Sequence, residues 1–228
     1  MGSRAGTAMP HARGEDGREG MDIAIFARAP VAGEAKTRLI PLLGPERAAA
    51  LHATLVRKTL ASALAAKLGE VTLWCSPDAR HPFFESCRTE FGVKLAVQVT
   101  GDIGERMLGA FRVAGGPLLL AGSDCPPLSA SHFRRCAAEL RGGVDAVFLP
   151  TEDGGYALVG LQRPLASLFA GVEWGTERVM EETRARLRAS GLEWSEPAEL
   201  WDVDRPEDVA RLVAHEPQTW TEILPRFG

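Results

Sequence analysis

A short apolar run that leads to a single carboxylate constrains the fold of this chain more than any other stretch. Leu118–Ala121 holds four apolar residues in a row, and the sequence GSDCPP follows, in which Asp124 is the one charged residue. Apolar residues without alternation are typical of a strand that is buried on both faces in a parallel sheet. Because ligands of α/β sheets bind beyond the carboxyl ends of such strands, the run predicts an α/β fold with Asp124 at the ligand-binding edge.

Two interpretations of Asp124 follow from this stretch. A carboxylate in a loop that Pro126 and Pro127 stiffen is well placed to hold a divalent cation. Alternatively, Asp124 caps a turn or the helix that starts near Ser129, because an aspartate before such a break often accepts hydrogen bonds from local backbone amides. The stretch alone leaves both interpretations open.

The composition is that of an ordinary globular protein. Its 228 residues suffice for one sizeable α/β domain or at most two small ones, and 45% of them are hydrophobic and 25% charged. The formal charge of -4 and the lack of a basic cluster disfavour a nucleic-acid partner and fit a small anionic ligand met by a few cations. No apolar run approaches the roughly 18 residues of a membrane span, and no signal-peptide core is seen, so we expect a cytoplasmic protein.

The four cysteines indicate reduced thiols. Cys75, Cys87, Cys125 and Cys136 show no C-x-x-C spacing and have no histidines in zinc-ligand register. In a cytoplasmic protein such cysteines stay reduced, and a structural disulfide is the alternative.

Strand and helix patterns alternate along the chain from Met21 onwards. Residues 1–20 contain almost no large apolar side chain, which predicts a disordered extension at 1–20 and a single folded domain at 21–228. The predicted strands are 22–27, 71–75, 94–99, one that ends at 124, 144–149, 156–161 and 200–203. The predicted helices are a long one around 51–64, then 82–91, 105–113, 129–140, 176–189 and 206–214. The alternation predicts a three-layer α/β sandwich with a mainly parallel central sheet and helices on both faces.

The loop after the first strand is a candidate ligand site. Within residues 28–39, Gly33 permits close approach of the backbone, and Lys36 and Arg38 supply cations beside backbone amides. The combination suits a nucleotide diphosphate, although it matches neither the P-loop nor the G-x-G-x-x-G fingerprint. The alternative is that both cations are simply solvated.

Two acidic segments are further candidates. Asp202 and Asp204 alternate near the end of the last predicted strand, where both could face one cation; alternatively, Asp204 caps the helix that begins at Pro206. In the segment Thr151–Tyr156, two glycines follow Asp153 and let the backbone fold tightly against a bound group. The alternative for this segment is an ordinary Asp-Gly hairpin turn.

The order of these features resembles that of a known superfamily. A basic loop after the first strand, G-S-D-C-P-P-L, D-G-G-Y-x-L-x-G and D-V-D-x-P-E-D occur in this sequence, and together they resemble the GT-A-fold nucleotide-diphospho-sugar transferases. Within that superfamily the chain is most similar to a bacterial glycosyltransferase group associated with radical-SAM proteins. It is also similar to phospholactate guanylyltransferase and molybdenum cofactor guanylyltransferase. The resemblance covers Met21–Val213 and implies a single-domain GT-A-like, Rossmann-like fold.

The resemblance implies a role for each candidate residue. Asp124 would be the principal ligand of Mg²⁺ or Mn²⁺, and Asp202 and Asp204 would complete the metal site. Asp124 and Asp153 would be catalytic, with Asp153 as a base on an acceptor hydroxyl. The nucleotide-binding residues would be Arg28, Gly33, Lys36, Arg38, Gly101 and Asp102. The acceptor-binding residues would be Gly154, Gly155 and Tyr156.

Three departures from the relatives bear on these roles. The loop after the first strand lacks the L-x-G-G-x-G-x-R of the molybdenum cofactor enzyme, which affects recognition of the base. Cys125 and Pro126 follow Asp124, so no D-x-D stands there. Arg205 occupies a position where the relatives usually have threonine, so the helix cap comes from Asp204 or is weaker.

The sequence therefore favours a metal-dependent transferase with a nucleotide-activated donor and a small-molecule acceptor. Glycosyl transfer from a nucleoside-diphosphate sugar is the favoured reaction, and nucleotidyl transfer onto a small phosphorylated metabolite, as in the guanylyltransferases, is the alternative. A non-catalytic nucleotide-binding module is a second alternative, although it would not need the three aspartates. No sequence feature indicates the oligomeric state.

Overall fold

A computed structural model describes residues 20–220, which form one seven-stranded sheet with helices on both faces. The strands are β1 (Asp22–Arg28), β2 (Val71–Ser76), β3 (Lys94–Val97), β4 (Leu118–Ala121), β5 (Ala146–Pro150), β6 (Tyr156–Leu161) and β7 (Trp194–Ser195). They lie in the order β3-β2-β1-β4-β6-β5-β7, and every neighbouring pair is parallel except the two that involve β6. The predicted α/β class with a mainly parallel sheet is confirmed.

The helices follow the predicted alternation. They are α1 (Ile40–Leu43), α2 (Pro45–Ala66), α3 (Pro82–Phe91), α4 (Ile103–Ala114), α5 (Ala130–Arg141), α6 (Val179–Ala189), α7 (Pro206–His215) and α8 (Pro217–Trp220). Short 3-10 turns at Thr37–Leu39 and Ala166–Leu168 precede α1 and α6. Helix α6 begins three residues later than the predicted Thr176. None of the helices among residues 20–220 has the length and apolar character of a membrane span.

Strand β1 separates two layers of the core. Ile23, Ile25 and Ala27 face the layer that contains α2, α3 and α5, whereas Ala24 and Phe26 face the layer that contains α4 and α6. Burial on both faces explains why β1 and β4 read as unbroken apolar runs. Each large apolar side chain that is fully removed from water stabilises the fold by about 1.5–3 kcal/mol, so these layers hold the strand ends in fixed positions.

The two strands that follow β4 bring a third loop to the same edge of the sheet. Because β4 is parallel to β1, the residues after Arg28 and after Ala121 meet at one edge. Strand β6 runs antiparallel between β4 and β5, so its first residue, Tyr156, lies at that edge too, and the Gly122 amide donates to the Ala157 carbonyl at 3.0 Å. The sheet order thus assembles three loops that are distant in the sequence.

The predicted strand at 200–203 is wrong. The last strand is β7, and Leu200 makes only an isolated bridge with Thr151. The Leu200 amide donates to the Pro150 carbonyl at 2.9 Å, and the Val203 amide donates to the Asp124 carbonyl at 2.9 Å. The segment therefore crosses the end of the sheet from β5 to β4 instead of extending along one neighbour, and no ladder can form.

Two other details correct the sequence analysis. Strand β4 ends at Ala121, so Asp124 lies in the following loop. Helix α5 is capped by Ser129 and His132, whose side chains contact each other at 3.0 Å, and the interpretation of Asp124 as the cap of this helix is wrong. The prediction for the cysteines is confirmed, because all four are buried and free.

Candidate active site at the carboxyl ends of the strands

Lys36 lies at the centre of the site. Its backbone is left-handed, with φ 50° and ψ 46°, a conformation that is uncommon outside glycine. The side chain is only 4% exposed, and Nζ lies 3.0 Å from Asp124 Oδ1 and 3.9 Å from Asp204 Oδ1. Nζ also donates a hydrogen bond to the Val203 carbonyl. The ammonium links three chain segments, so the alternative that Lys36 is simply solvated is wrong.

Asp124 is held as a carboxylate between Lys36 and a histidine. Its Oδ1 is buried and lies 3.6 Å from His52 Nδ1, while His52 Nε2 lies 3.0 Å from the Arg28 carbonyl. Burial disfavours the ionised form, but the charge of Lys36 and the His52 ring outweigh it and hold the pKa of Asp124 well below its ordinary value. Asp124 is therefore ionised throughout the physiological pH range.

His52 is a site residue that the sequence analysis missed. It lies within the apolar face of α2, and its side chain is 7% exposed. The available signal was a titratable side chain among Leu51, Leu55 and Val56, but a buried histidine on such a face is usually a core residue. Only the sheet order, which brings α2 next to the loop after β4, places its ring beside Asp124.

Asp204 faces the two cations of the first loop. Arg38 donates to Asp204 Oδ2, and Arg38 is 63% exposed, whereas the Asp204 side chain is 36% exposed. The predicted helix-cap role of Asp204 is wrong. Asp208 Oδ2 instead accepts from the Asp204 and Arg205 amides at 3.0 and 2.7 Å, which caps α7 and leaves the Asp204 side chain available to the site.

A buried valine fixes the two aspartates of the last segment. Val203 is fully buried among apolar residues of α1, α2, α7 and α8, and Asp202 and Asp204 flank it on the chain. Asp202 is half-buried. The pKa of Asp202 is raised to about 6, mainly by burial and then by the negative charge of Asp153, Asp204 and Asp124. Negative charge thus accumulates around Asp202 without full compensation.

The three aspartates do not form a ready cation cage. Within residues 20–220, no group of three or more His, Cys, Asp or Glu side chains has the spacing of a metal site. The Lys36 ammonium lies between Asp124 and Asp204, and Arg38 takes the outer oxygen of Asp204. Two carboxylates nevertheless suffice for Mg²⁺, which fills its shell with water and phosphate, and the buried Oδ1 of Asp124 is a hard ligand. The metal site stays a prediction.

The loop between β5 and β6 is the predicted Asp-Gly hairpin. Asp153 Oδ1 accepts hydrogen bonds from the Thr151 hydroxyl and from the Gly155 amide, the latter at 3.1 Å. Gly154 has φ 87°, and a Cβ there would lie 2.0 Å from the Glu177 carbonyl oxygen. The hairpin interpretation does not exclude a functional one, because this packing holds the loop against the segment before α6 and places Asp153 on a cavity wall.

The cavity beside these loops has a volume of about 790 Å³. Its walls include seven of the predicted site residues, namely Arg38, Asp153, Gly154, Gly155, Tyr156, Asp202 and Asp204. Trp174, Trp201, Glu177 and Arg211 also line it, and the sequence analysis missed them because no motif surrounds them. Lys36 and Asp124 are not among the lining residues, and the Asp124 side chain is about half exposed.

The remaining predicted nucleotide-binding residues lie outside the cavity lining. Arg28 ends β1 and is 60% exposed, and Gly33 has φ 87° in the exposed loop that follows. Asp102 caps α4 in a reciprocal pair with Glu105, at 2.8 and 2.9 Å, and a Cβ on Gly101 would lie 2.0 Å from Glu105 Oε2. The cap accounts for these last two residues without a ligand, and their nucleotide-binding role stays a prediction.

Comparison with known proteins identifies a family and a shared fold. The model of a family described as "Uncharacterized protein conserved in bacteria (DUF2064)" matches residues 59–176, just over half of the chain. A crystal structure from Desulfovibrio desulfuricans G20, provisionally assigned as a nucleotide-diphospho-sugar transferase, is 28% identical with a TM-score of 0.76, covering 86% of this chain and 88% of that one. No curated protein matches the chain.

Two further solved structures share the fold at low identity. One is 4-diphosphocytidyl-2C-methyl-D-erythritol synthase from Anaerococcus prevotii, which is 12% identical with a TM-score of 0.59, covering 86% of this chain and 96% of that one. The other is CMP:2-keto-3-deoxy-manno-octonic acid synthetase in complex with CTP, which is 13% identical with a TM-score of 0.56, covering 87% and 99%. These matches establish the fold alone.

Proposed function

We propose that this chain, which belongs to the DUF2064 family of proteins conserved in bacteria, is a cytoplasmic transferase that uses a nucleotide-activated donor and a small-molecule acceptor. We favour a nucleoside-diphosphate sugar as donor, which makes the chain a glycosyltransferase. One observation carries the proposal: two cations of the first loop meet carboxylates from two other segments at the strand ends, beside a cavity that Asp153 lines. Cations, carboxylates and a candidate base thus lie together at the edge where α/β sheets bind ligands.

The donor diphosphate would bind to Arg38 and Lys36. Arg38 is largely exposed and lines the cavity, so a diphosphate can compete with Asp204 for its guanidinium. Lys36 is buried and already held by Asp124, so it supplies positive charge without a loss of side-chain freedom on binding. Negative charge develops on the diphosphate as it leaves, and fixed cations at this position stabilise that charge. Arg28, Gly33, Gly101 and Asp102 complete the proposed nucleotide site.

A divalent cation forms part of the proposal. Asp124 and Asp202 would hold Mg²⁺ or Mn²⁺, and Asp204 would join them where its contacts with Lys36 and Arg38 are released. Their oxygens are hard ligands of the kind that these ions prefer. The ion would neutralise charge on the donor phosphates.

Asp153 is the proposed base for the acceptor. It would take the proton from an acceptor hydroxyl while the hydroxyl oxygen forms a bond to the sugar carbon and the bond between that carbon and the diphosphate oxygen breaks. The nucleoside diphosphate leaves with the electron pair. The backbone amide of Gly155, which donates to Asp153 Oδ1, holds the carboxylate in a fixed orientation in the cavity wall. Gly154, Gly155 and Tyr156 would contact the acceptor.

Nucleotidyl transfer is the second candidate reaction. Two enzymes of this type share the fold over most of their length, and cations at a diphosphate would serve either reaction. Association with radical-SAM proteins stays a prediction from the resemblance.

The decisive experiment separates donor class from reaction type. Thermal-shift measurements with GTP, CTP, UTP and sugar nucleotides, with and without Mg²⁺ or Mn²⁺, should give the largest stabilisation for a sugar nucleotide with metal, because a ligand that binds the native state stabilises it by mass action. Mass spectrometry of the products should then detect a nucleoside diphosphate. Release of pyrophosphate from a triphosphate would instead establish nucleotidyl transfer, and binding without turnover would favour a non-catalytic module.

A further inference from the structure

The cavity has one apolar wall with two aromatic rings. Tyr156 and Trp174, together called the aromatic wall below, meet edge to face with their centroids 6.5 Å apart. Met107 extends this surface, and its sulfur lies 3.9 Å from the Tyr156 hydroxyl. Burial raises the pKa of Tyr156 far above its ordinary value, so the hydroxyl stays neutral. Such a surface binds a flat apolar group.

The same cavity also has an acidic lining, called the acidic side below. Six carboxylates and three arginines line it, and among the described residues no lysine or histidine does so. Two of the arginines are already paired: Arg38 with Asp204, and Arg211 with Glu152 through two hydrogen bonds of 2.6 and 2.9 Å. The carboxylates outside these pairs are Asp153, Glu177, Asp202 and Asp208, with Arg205 as the remaining arginine.

This acidic side is held in place by backbone packing. The Met180 amide donates to the Gly154 carbonyl at 2.8 Å, and the Gly154 Cα hydrogen faces the Glu177 backbone so closely that a methyl group would not fit. Asp153 and Glu177 therefore come from two segments that cannot separate without breaking this contact. The backbone packing therefore keeps the segments that carry Asp153 and Glu177 next to each other at the cavity.

On the basis of the proposed transferase function, we propose that the acceptor is uncharged or cationic and lays a flat apolar group on the aromatic wall, with its hydroxyl or amine toward Asp153 and Glu177. A phosphate monoester would bring about two negative charges among the carboxylates that lie outside these two ion pairs. An amine or hydroxyl instead donates to those oxygens. The cavity therefore selects against phosphorylated acceptors, which also disfavours nucleotidyl transfer onto a sugar phosphate.

Three probes that share the same benzyl group and differ in charge test this preference. Benzyl alcohol, benzylamine and benzyl phosphate are titrated into the full-length protein, and binding is followed by the NMR shifts of the tryptophan indoles. The alcohol and the amine should bind, and the phosphate should bind roughly ten-fold more weakly or not at all. Binding of benzyl phosphate as tight as that of the alcohol, or no binding of any probe, would overturn the proposal.

Matched variants locate the binding. Trp174→Leu should weaken the binding of benzyl alcohol and benzylamine by roughly five-fold or more. Trp194→Leu should not, because Trp194 lies outside the cavity and donates to Glu196 at 2.8 Å. Glu177→Gln should reduce the discrimination against benzyl phosphate, whereas Glu173→Gln, whose side chain is outside the lining and pairs with Arg178, should leave it unchanged. Unchanged affinities for the alcohol and the amine in Trp174→Leu, or unchanged discrimination against benzyl phosphate in Glu177→Gln, would place the probes elsewhere and refute the inference.

Nucleotide binding measured on the same samples separates the two proposals. If nucleotides bind normally but benzyl phosphate binds more tightly than the alcohol and the amine, the proposed acceptor class is wrong and the proposed transferase function still stands. No nucleotide binding under any metal condition removes the transferase itself, whatever the order of the probes.

Discussion

Lys36 and Arg38 lie two residues apart and differ in their surroundings, so the same substitution should affect them differently. Arg38→Ala removes an exposed side chain and should weaken nucleotide binding by roughly 1.5–3 kcal/mol with little change in the melting temperature. Lys36→Ala should weaken it similarly and also lower stability by roughly 1–3 kcal/mol, because the buried Asp124 Oδ1 and the Val203 carbonyl lose their cation. Calorimetric titration and melting curves measure both effects.

Lys94→Ala is the matched control for these variants. Lys94 forms an exposed ion pair with Glu70 at the far strand β3, so its loss should alter neither quantity measurably. Equal stability of Lys36→Ala and Arg38→Ala would contradict the buried position of the Lys36 ammonium. Unchanged nucleotide affinity in both would remove the proposed diphosphate site.

Asp202 makes the stability of the metal-free protein depend on pH. Its folded-state pKa of about 6 lies above the ordinary value, so between about pH 4 and pH 6 the folded state keeps a proton that the unfolded state has released. Ionising Asp202 therefore costs stability as the pH rises through this window. Asp202→Asn removes that cost, and its melting temperature should match that of the wild type near pH 4 and exceed it at pH 7. A difference in melting temperature between the two proteins that stays constant from pH 4 to pH 7 would contradict the raised pKa of Asp202.

At the scale of elements, the contact between the β5–β6 hairpin and the segment before α6 shapes the acidic side of the cavity. Gly154 and Gly175 both have a positive φ and both line the cavity, but a Cβ on Gly154 meets the Glu177 backbone whereas a Cβ on Gly175 meets nothing within 4 Å. Gly175→Ala should cost roughly 1 kcal/mol from backbone strain alone. Gly154→Ala should cost at least twice that and displace Glu177 from Asp153.

Urea unfolding measures these two glycine variants, and the benzyl probes report the cavity. Gly154→Ala should lose the preference for benzylamine over benzyl phosphate, and Gly175→Ala should keep it. Equal costs and equal probe binding in the two variants would show that the contact with Glu177 is not tight.

Periodicity predicted most of the elements, but not the contacts that cross the sheet. The buried runs of β1 and β4 and the helix patterns reflect local burial, which residue order records directly. The segment before α7 was predicted as a strand because Leu200–Val203 looks like one, and its actual path depends on the ends of β4 and β5, which are distant in the sequence. His52 was missed for the same reason, since only the packing of α2 against the β1 and β4 loops gives it a partner.

At the scale of the whole molecule, the folded domain should be independent of the first twenty residues. Their composition offers almost no large apolar side chains for a core. All of them except residue 20 lie outside the part of the chain that the structure describes. Removal of residues 1–20 should leave the melting temperature and nucleotide binding unchanged within error. A fall of several degrees on truncation would contradict this.

The proposed cation couples the site to the stability of the whole domain, and Asp124→Asn tests that coupling. In the free protein Asp124 is stabilised as a carboxylate by Lys36, so this contribution is present above the unfolded pKa near 4 and is lost at lower pH. Asparagine keeps the shape but not the charge, and the variant should melt at a lower temperature than the wild type at pH 7. If Asp124 also binds the cation, Mg²⁺ with nucleotide should raise the melting temperature of the wild type and not that of the variant.

Asp78→Asn, which breaks a surface ion pair with Arg80, is the control and should keep the full rise. A variant that melts early yet shows the normal rise with Mg²⁺ and nucleotide would keep Asp124 as a partner of Lys36 and remove it from the cation site.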